Sequence, residues 1–327
     1  VLVSAYSDQG LVGEGFCFAL NGVRLKAFDE VLKSFTPYVE GQDADYIEGI
    51  WESIYQSLNA MGQQGIAIGA LAALDTALWD LHGKALDKPL HRLWGACRSR
   101  VKTYASSGLW LSQSIDELTE EARLFIDQGF KGMKIRLGKA QWRDDVERVK
   151  EVREAIGPDV ELYADVNQAL NPKQAIKLGQ ALKELELAWL EEPVAAHNLT
   201  GHAEVRNRLT IPIASGETVY TRYGIRAMIE AQACDVLMPD LQRMGGLSEM
   251  CKASALAASF DLPVSSHFFT EHSLYFAGSV ANCISVEHID WFERLFNESM
   301  ELVDGELVIP ERAGTGFTFR DDLPIYA

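Results

Sequence analysis

Between Thr103 and Phe296 the chain alternates short apolar runs with longer stretches in which apolar residues recur every three or four positions. The short runs are TYASSGL, GMKIRL, VELYADV, LAWLEE, IPIASGE, DVLMPD, LPVSSHF and ISVEHI, each of strand length. The stretches between them read as amphipathic helices. Ser114 and Glu117 form a capping box ahead of Ile115, Leu118, Phe125 and Ile126, which share one face. Asn171 caps another helix, with Pro172 at its first position and Ala175, Leu178, Leu182 and Leu185 as its apolar stripe. Eight such units predict an α/β fold, a (β/α)8 TIM-like barrel whose loops after the strands carry the chemistry. An open doubly wound sheet fits the same alternation. However, no glycine-rich phosphate loop follows a strand start, which weakens a nucleotide-binding version of it.

The two ends of the chain have a different pattern. VLVSAY and LVGEGFCFAL flank the turn residues SDQG and read as a hairpin. Helical periods then run to about Lys84, followed by a break at Pro89 and an irregular HRLWGAC stretch. Near the other end, MELV and ELVIP flank Asp304-Gly305, a second hairpin. Val1 opens inside an alternating strand without a Met, so the true N-terminus is expected upstream.

Most of the barrel strands end in charge. Lys134 and Arg136 close the second, Asp165 and Asn167 the third, and Glu191 the fourth. Glu217, Asp240, His267 and Glu287 end the next four. From Asp165 onward these positions are 26, 26, 23, 27 and 20 residues apart, close to one βα unit each, so a closed barrel brings them to a common mouth. Alternation sharpens this: Lys134 and Arg136 oppose Met133, Ile135 and Leu137, and Asp165 and Asn167 oppose Ala164 and Val166.

Asp165, Glu191 and Glu217 come from three consecutive strands. Unpaired, they would repel and raise one another's pKa. A hard divalent cation resolves the repulsion, and Mg²⁺ suits a few carboxylates plus waters and substrate oxygens. No Cys or His shares their phase on those strands, which disfavours zinc. Separate salt bridges from each carboxylate to a neighbouring Arg or Lys are the alternative. Asp240 and His267 lie on adjacent strands, where the carboxylate can orient the imidazole as a general base. His82, His91, His197, His202, His272 and His288 read as structural.

Charge and composition narrow the function classes. With 30 Lys+Arg against 47 Asp+Glu the net charge is −17, so the chain has no basic excess for nucleic acid or an anionic membrane. The five dispersed cysteines form no C-x-x-C pair and point to a reducing, cytoplasmic setting. No signal peptide or membrane-length apolar run is present; the best candidate, from Ile66, is interrupted by Asp75, Asp80, His82 and Lys84.

The stretches GFKGMKIRLG, YADVNQAL, WLEEP, IPIASGE, MPDLQRMGGLSE, SALAASFDLPVSSHFF and VEHIDW resemble the mandelate racemase subgroup of the enolase superfamily, as does ALAALDTALWDLHGKALDKPLHRLWG. The resemblance implies a barrel over 98–296, capped by an α+β domain built from both chain ends, 1–97 and 297–327. It implies Mg²⁺ held by Asp165, Glu191 and Glu217, with His267 as base, Asp240 as its partner, and a mobile specificity loop upstream. It also implies that Lys134 and Glu287 contact the substrate carboxylate, Glu287 as a protonated donor; Arg136 and Asn167, on the same mouth face, are expected to bind substrate as well. A homo-oligomer is the family's usual state. The shared chemistry is removal of the proton α to a carboxylate, giving an enediolate stabilised by Mg²⁺. One position departs from the family: Arg136 stands where the second lysine of K-x-K serves as a base on the opposite face, and arginine is a poor base. The expected reaction is therefore one-base dehydration of an acid sugar to a 2-keto-3-deoxy acid. A racemase, epimerase or lactone cycloisomerase on a 2-hydroxy acid, and a non-catalytic barrel, are the alternatives.

Overall fold

The computed structural model describes residues 1–323 and opens on an antiparallel hairpin, β1 (Leu2–Tyr6) and β2 (Val12–Phe16), with Leu2 opposite Phe16. The helices α1 (Leu25–Val39), α2 (Ile47–Ser57) and α3 (Ile66–Ala85) follow. The apolar stretch from Ile66 is thus a core helix, packed against β2 and against the barrel. Gly13 and Gly15 permit that approach, since a Cβ on either would come within 2.0 or 2.1 Å of a carbonyl oxygen of α3. The two acids that interrupt the apolar run are tethers. Asp75 accepts from the Ser248 N–H (3.0 Å) and hydroxyl (2.6 Å). Asp80 accepts from the N–H groups of Glu14 (2.9 Å) and Thr315 (2.7 Å), with the Lys84 ammonium 2.6 Å away. After Pro89, the stretch expected to be irregular holds one short helix, α4 (Leu90–Leu93).

The middle of the chain is a closed parallel barrel. Its strands are β3 (Arg100–Ala105), β4 (Gly132–Arg136), β5 (Glu161–Asp165), β6 (Leu187–Glu191), β7 (Ile213–Ser215), β8 (Val236–Leu237), β9 (Val264–Ser266) and β10 (Cys283–His288). They pair in chain order, and β10 returns to β3 with Glu287 opposite Tyr104. The intervening helices are α5 (Ile115–Asp127), α6 (Trp142–Ile156), α7 (Pro172–Leu182), α8 (Leu199–Arg208), α9 (Thr221–Glu230), α10 (Leu241–Met244), α11 (Leu247–Ala258) and α12 (Thr270–Ser279). Both capping motifs form: Ser114 with Glu117, and Asn171 with Gln174 and Pro172.

Side-chain alternation follows the strand period. Met133, Ile135, Leu162, Ala164 and Leu190 are buried in the layer between barrel and helices. Tyr104, Tyr163 and Trp189 form a separate buried cluster within the barrel, with the Tyr163 and Trp189 rings 4.2 Å apart. Their aromatic packing makes a dry floor beneath the polar residues that follow on the same face. Strands β7, β8 and β9 are shorter than the apolar runs predict, so Glu217, Asp240 and His267 stand just past their ends. A parallel bridge between Asp240 and His267 keeps the strand register beyond the sheet.

The second hairpin, β11 (Leu302–Val303) and β12 (Glu306–Val308), turns at Asp304 and Gly305, both with positive φ as a two-residue type I′ turn requires. Strand β12 pairs antiparallel with the start of β3, at the end away from the mouth. The chain then returns to the first region, where the N–H of Phe319 meets Glu14 (3.3 Å). At the mouth, Gln242 exchanges two hydrogen bonds with the backbone of Phe18, and the Trp51 indole donates to the Gly245 carbonyl (2.7 Å). None of the described helices is long and apolar enough to cross a membrane.

Candidate active site

The carboxylates of Asp165, Glu191 and Glu217 converge at the mouth, each offering an oxygen within 4.8 Å of the others, and all three are buried. Asp165 is held by Asn167, whose backbone N–H (2.8 Å) and side-chain amide (3.0 Å) donate to its two oxygens. Glu191 accepts from the Trp189 indole (2.9 Å) and from the Lys134 ammonium (2.6 Å). On Glu217, Oε2 is buried without a hydrogen-bond partner. All-oxygen donors, close convergence and an unsatisfied buried oxygen fit a hard divalent cation. Separate salt bridges do not account for the trio, because among the described residues only Lys134 and Arg136 reach any of its members as permanent cations, and neither reaches Glu217.

His267 lies on the Glu217 side of this group, with Nε2 3.2 Å from Glu217 Oε2. Its Nδ1 is 2.7 Å from Asp240 Oδ2, so one ring nitrogen is committed to Asp240 and the other faces the carboxylates. The second oxygen of Asp240 accepts from the Arg243 N–H (2.8 Å), which fixes the carboxylate in turn. Burial would lower the imidazole's pKa, but Glu217, Glu287 and Asp240 more than offset this and push it up to about 9.

Lys134 is buried between Glu191 and Glu287, 2.6 and 2.7 Å from their nearer oxygens. Burial opposes its charge, yet these two carboxylates hold the ammonium above its ordinary pKa. Arg136 donates to the Ser106 hydroxyl (2.9 Å) and lies over the Trp110 ring (5.1 Å), which leaves Nη1 buried and unpartnered. The carboxyl groups respond to the same crowding. Burial pushes Glu191 up to about 7 against the opposing pull of Lys134, and burial with the neighbouring acids raises Glu217 well above its usual range.

Glu287 differs from the protonated donor expected of it. Ser106 Oγ (2.6 Å) and Lys134 donate to Oε1, and the Phe268 N–H (2.9 Å) donates to Oε2. Burial alone would raise its pKa, but Lys134, His267 and Arg136 carry it well below the usual carboxylate range. Donors and cations surround both of its oxygens, which favours the ionised carboxylate. His288, on the same strand but the opposite face, packs against Phe130 with ring centroids 5.0 Å apart.

Two polar participants escaped the strand-phase argument. Ser106 follows the first strand, the only one without a charged end, and links Arg136 to Glu287. Its position past TYA was the available signal. Glu192 should face away from the mouth by alternation, but its φ of 38° turns the chain and sets its carboxylate beside Gln168 and Thr218.

Comparison with known proteins adds an independent line. Residues 117–323 match the family described as enolase C-terminal domain-like, and residues 1–95 match the mandelate racemase / muconate lactonizing enzyme N-terminal domain. An arabinonate dehydratase of Saccharolobus solfataricus is 30% identical over 318 residues, covering 94% of this chain and 84% of that protein. A D-galactarolactone cycloisomerase of Agrobacterium fabrum is 33% identical over 343 residues, covering 98% and 89%. The crystal structure of an L-talarate dehydratase from a Polaromonas species, complexed with Mg and L-glucarate, superposes with a TM-score of 0.94 at 31% identity, covering 98% of this chain and 89% of that one.

Proposed function

The chain belongs to the mandelate racemase / muconate lactonizing enzyme family of the enolase superfamily, and from that premise we propose that it is a Mg²⁺-dependent acid-sugar dehydratase. The observation that carries this reading is the juxtaposition of His267 Nε2 with the Asp165–Glu191–Glu217 carboxylates, 3.2 Å from Glu217. A base beside a cation site is the arrangement that removal of a proton α to a carboxylate demands. Relatives at about 30% identity include both dehydratases and cycloisomerases of sugar acids.

Asp165, Glu191 and Glu217 would hold the ion. When bound, Mg²⁺ polarises the substrate carboxylate and stabilises the charge that develops on it. His267 Nε2, which faces the carboxylate trio, would take the proton as general base. Asp240 holds Nδ1, which keeps Nε2 as the reacting nitrogen. Lys134 and the free Nη1 of Arg136 supply positive charge near the substrate carboxylate and its hydroxyls. His267 takes the α-proton, the β-carbon–oxygen bond breaks, and the same imidazolium protonates the departing oxygen as water. The resulting enol ketonises to the 2-keto-3-deoxy acid. The stretches 1–97 and 297–327, of which 324–327 lie outside the described residues, together would cap the barrel of 98–296 and contact the far end of the substrate.

Cycloisomerisation or racemisation through the same first step is the second reading, favoured by the 33% identity to a lactone cycloisomerase. A Mg²⁺-dependent screen of aldonic and aldaric acids for 2-keto-3-deoxy products tests the assignment. Mass spectrometry separates the readings, because dehydration loses one water and isomerisation loses nothing. Isomerised substrate without keto-acid product across the panel would overturn the dehydratase reading. Deuterium exchange at C2 from both faces would reveal a second base besides His267.

A further inference from the structure

We propose that Glu192 is a positioning residue for the cation site, one carboxylate that ties together the loops following the three ligand strands. The inference rests on the reading of Asp165, Glu191 and Glu217 as cation ligands. Glu192 is fully buried. Its Oε2 accepts from the Gln168 side-chain amide (2.6 Å), and its Oε1 accepts from the Thr218 hydroxyl (3.0 Å). The Gln168 backbone N–H donates to the Glu192 carbonyl (2.8 Å), and the Gln168 side-chain oxygen accepts from the Ala196 N–H (2.8 Å). Gln168 is three residues past Asp165, Glu192 is one past Glu191, and Thr218 is one past Glu217. Each ligand therefore has a near neighbour in the same hydrogen-bonded group.

The backbone gives this group something to hold. Asn167, Gln168 and Glu192 have φ of 43°, 64° and 38°, left-handed conformations that non-glycine residues leave unless the surroundings over-determine them. A buried acid is also a poor choice for simple packing, since an apolar side chain fills space without a desolvation cost. Its two acceptor oxygens, in contrast, can bind two separate loops at once. Partners behind the ligands of a metal site set the ligands' orientation, and their loss typically lowers affinity about 10–100-fold.

The test is Mn²⁺ titration of the whole chain, followed by electron paramagnetic resonance, for wild type, Glu192→Gln, Thr218→Val and the double variant. Glu192→Gln should weaken binding about 10–100-fold and broaden the spectrum of the bound ion. Thr218→Val alters no charge, so a loss of about tenfold there identifies positioning rather than electrostatic attraction. Because both substitutions cut the same link, the double variant should bind no more weakly than Glu192→Gln alone. Affinity within twofold of wild type in folded Glu192→Gln, or losses that simply multiply, would overturn the proposal. So would an effect confined to the unfolding midpoint of the metal-free protein. If Glu192→Gln does not fold, unchanged Mn²⁺ affinity in Thr218→Val overturns it. A wild-type chain that binds no Mn²⁺ would instead remove the cation reading on which the proposal stands.

Discussion

Replacing Lys134 with Met tests the electrostatic balance of the site more directly than any other single change. Four buried carboxylates, Asp165, Glu191, Glu217 and Glu287, face two permanent cations, Lys134 and Arg136. Met fills nearly the same volume but takes a donor and a positive charge from both Glu191 and Glu287. Breaking a buried ion pair typically costs about 3–5 kcal/mol. The lower end applies here, about 3 kcal/mol, because Glu287 keeps Ser106 Oγ and the Phe268 N–H while Glu191 keeps the Trp189 indole. The pH dependence has a definite sign. Glu287 has its folded pKa depressed, so its contribution is present in full above the ordinary carboxylate pKa and is lost progressively as pH falls from about 4 toward the much lower folded value. Urea unfolding of metal-free wild type and Lys134→Met, followed by circular dichroism, should therefore show a gap of about 3 kcal/mol at pH 7 that narrows by about pH 3. Saturating Mg²⁺ should also narrow the pH 7 gap, since the ion restores positive charge. A gap below about 1 kcal/mol at pH 7, or one that is unchanged at about pH 3, would refute this balance of charges.

Three other perturbations separate roles within the structure. His267→Asn should abolish exchange of the substrate α-proton in D₂O while leaving Mg²⁺ affinity within a few-fold of wild type; retained exchange would remove His267 as the base. Asp165→Asn should do the reverse, weakening Mg²⁺ binding as measured by calorimetry while Asp240 still holds the imidazole; undiminished affinity would take Asp165 out of the ligand set. Ser248→Ala addresses the contact between α3 and α11. Burial pushes Asp75 up to about 7, so its folded form loses stability as pH rises from the ordinary carboxylate value through that range. The Ser248 hydroxyl limits that loss, and its removal should cost about 1–2 kcal/mol at pH 8 and less at pH 5, where Asp75 is protonated and can donate. Equal losses at both pH values would count against an ionised Asp75.

Much of the barrel and its mouth was legible in the residue order because strand periodicity acts locally. A period of two puts Lys134 and Arg136 opposite Met133 and Ile135 whatever the neighbouring strands do, and a spacing of 20–27 residues from Asp165 to Glu287, about one βα unit each, brings strand ends to one rim once the sheet closes. Both helix caps were equally local, each a hydrogen-bonded exchange across three residues. Where a side chain's state depends on what other segments bring to it, the residue order was silent. Glu192 leaves its expected face through one left-handed backbone angle. Glu287 favours the ionised form because Lys134, Ser106 and the Phe268 N–H arrive from three other segments of the chain. Asp75 and Asp80 looked like interruptions of an apolar helix until Ser248 and Thr315 were brought to them. Backbone period and local capping thus belong to the sequence itself. Charge state, burial and the partners of each buried acid arise only when distant segments exclude water around one another, because an ion's energy depends on all the charges and donors that surround it.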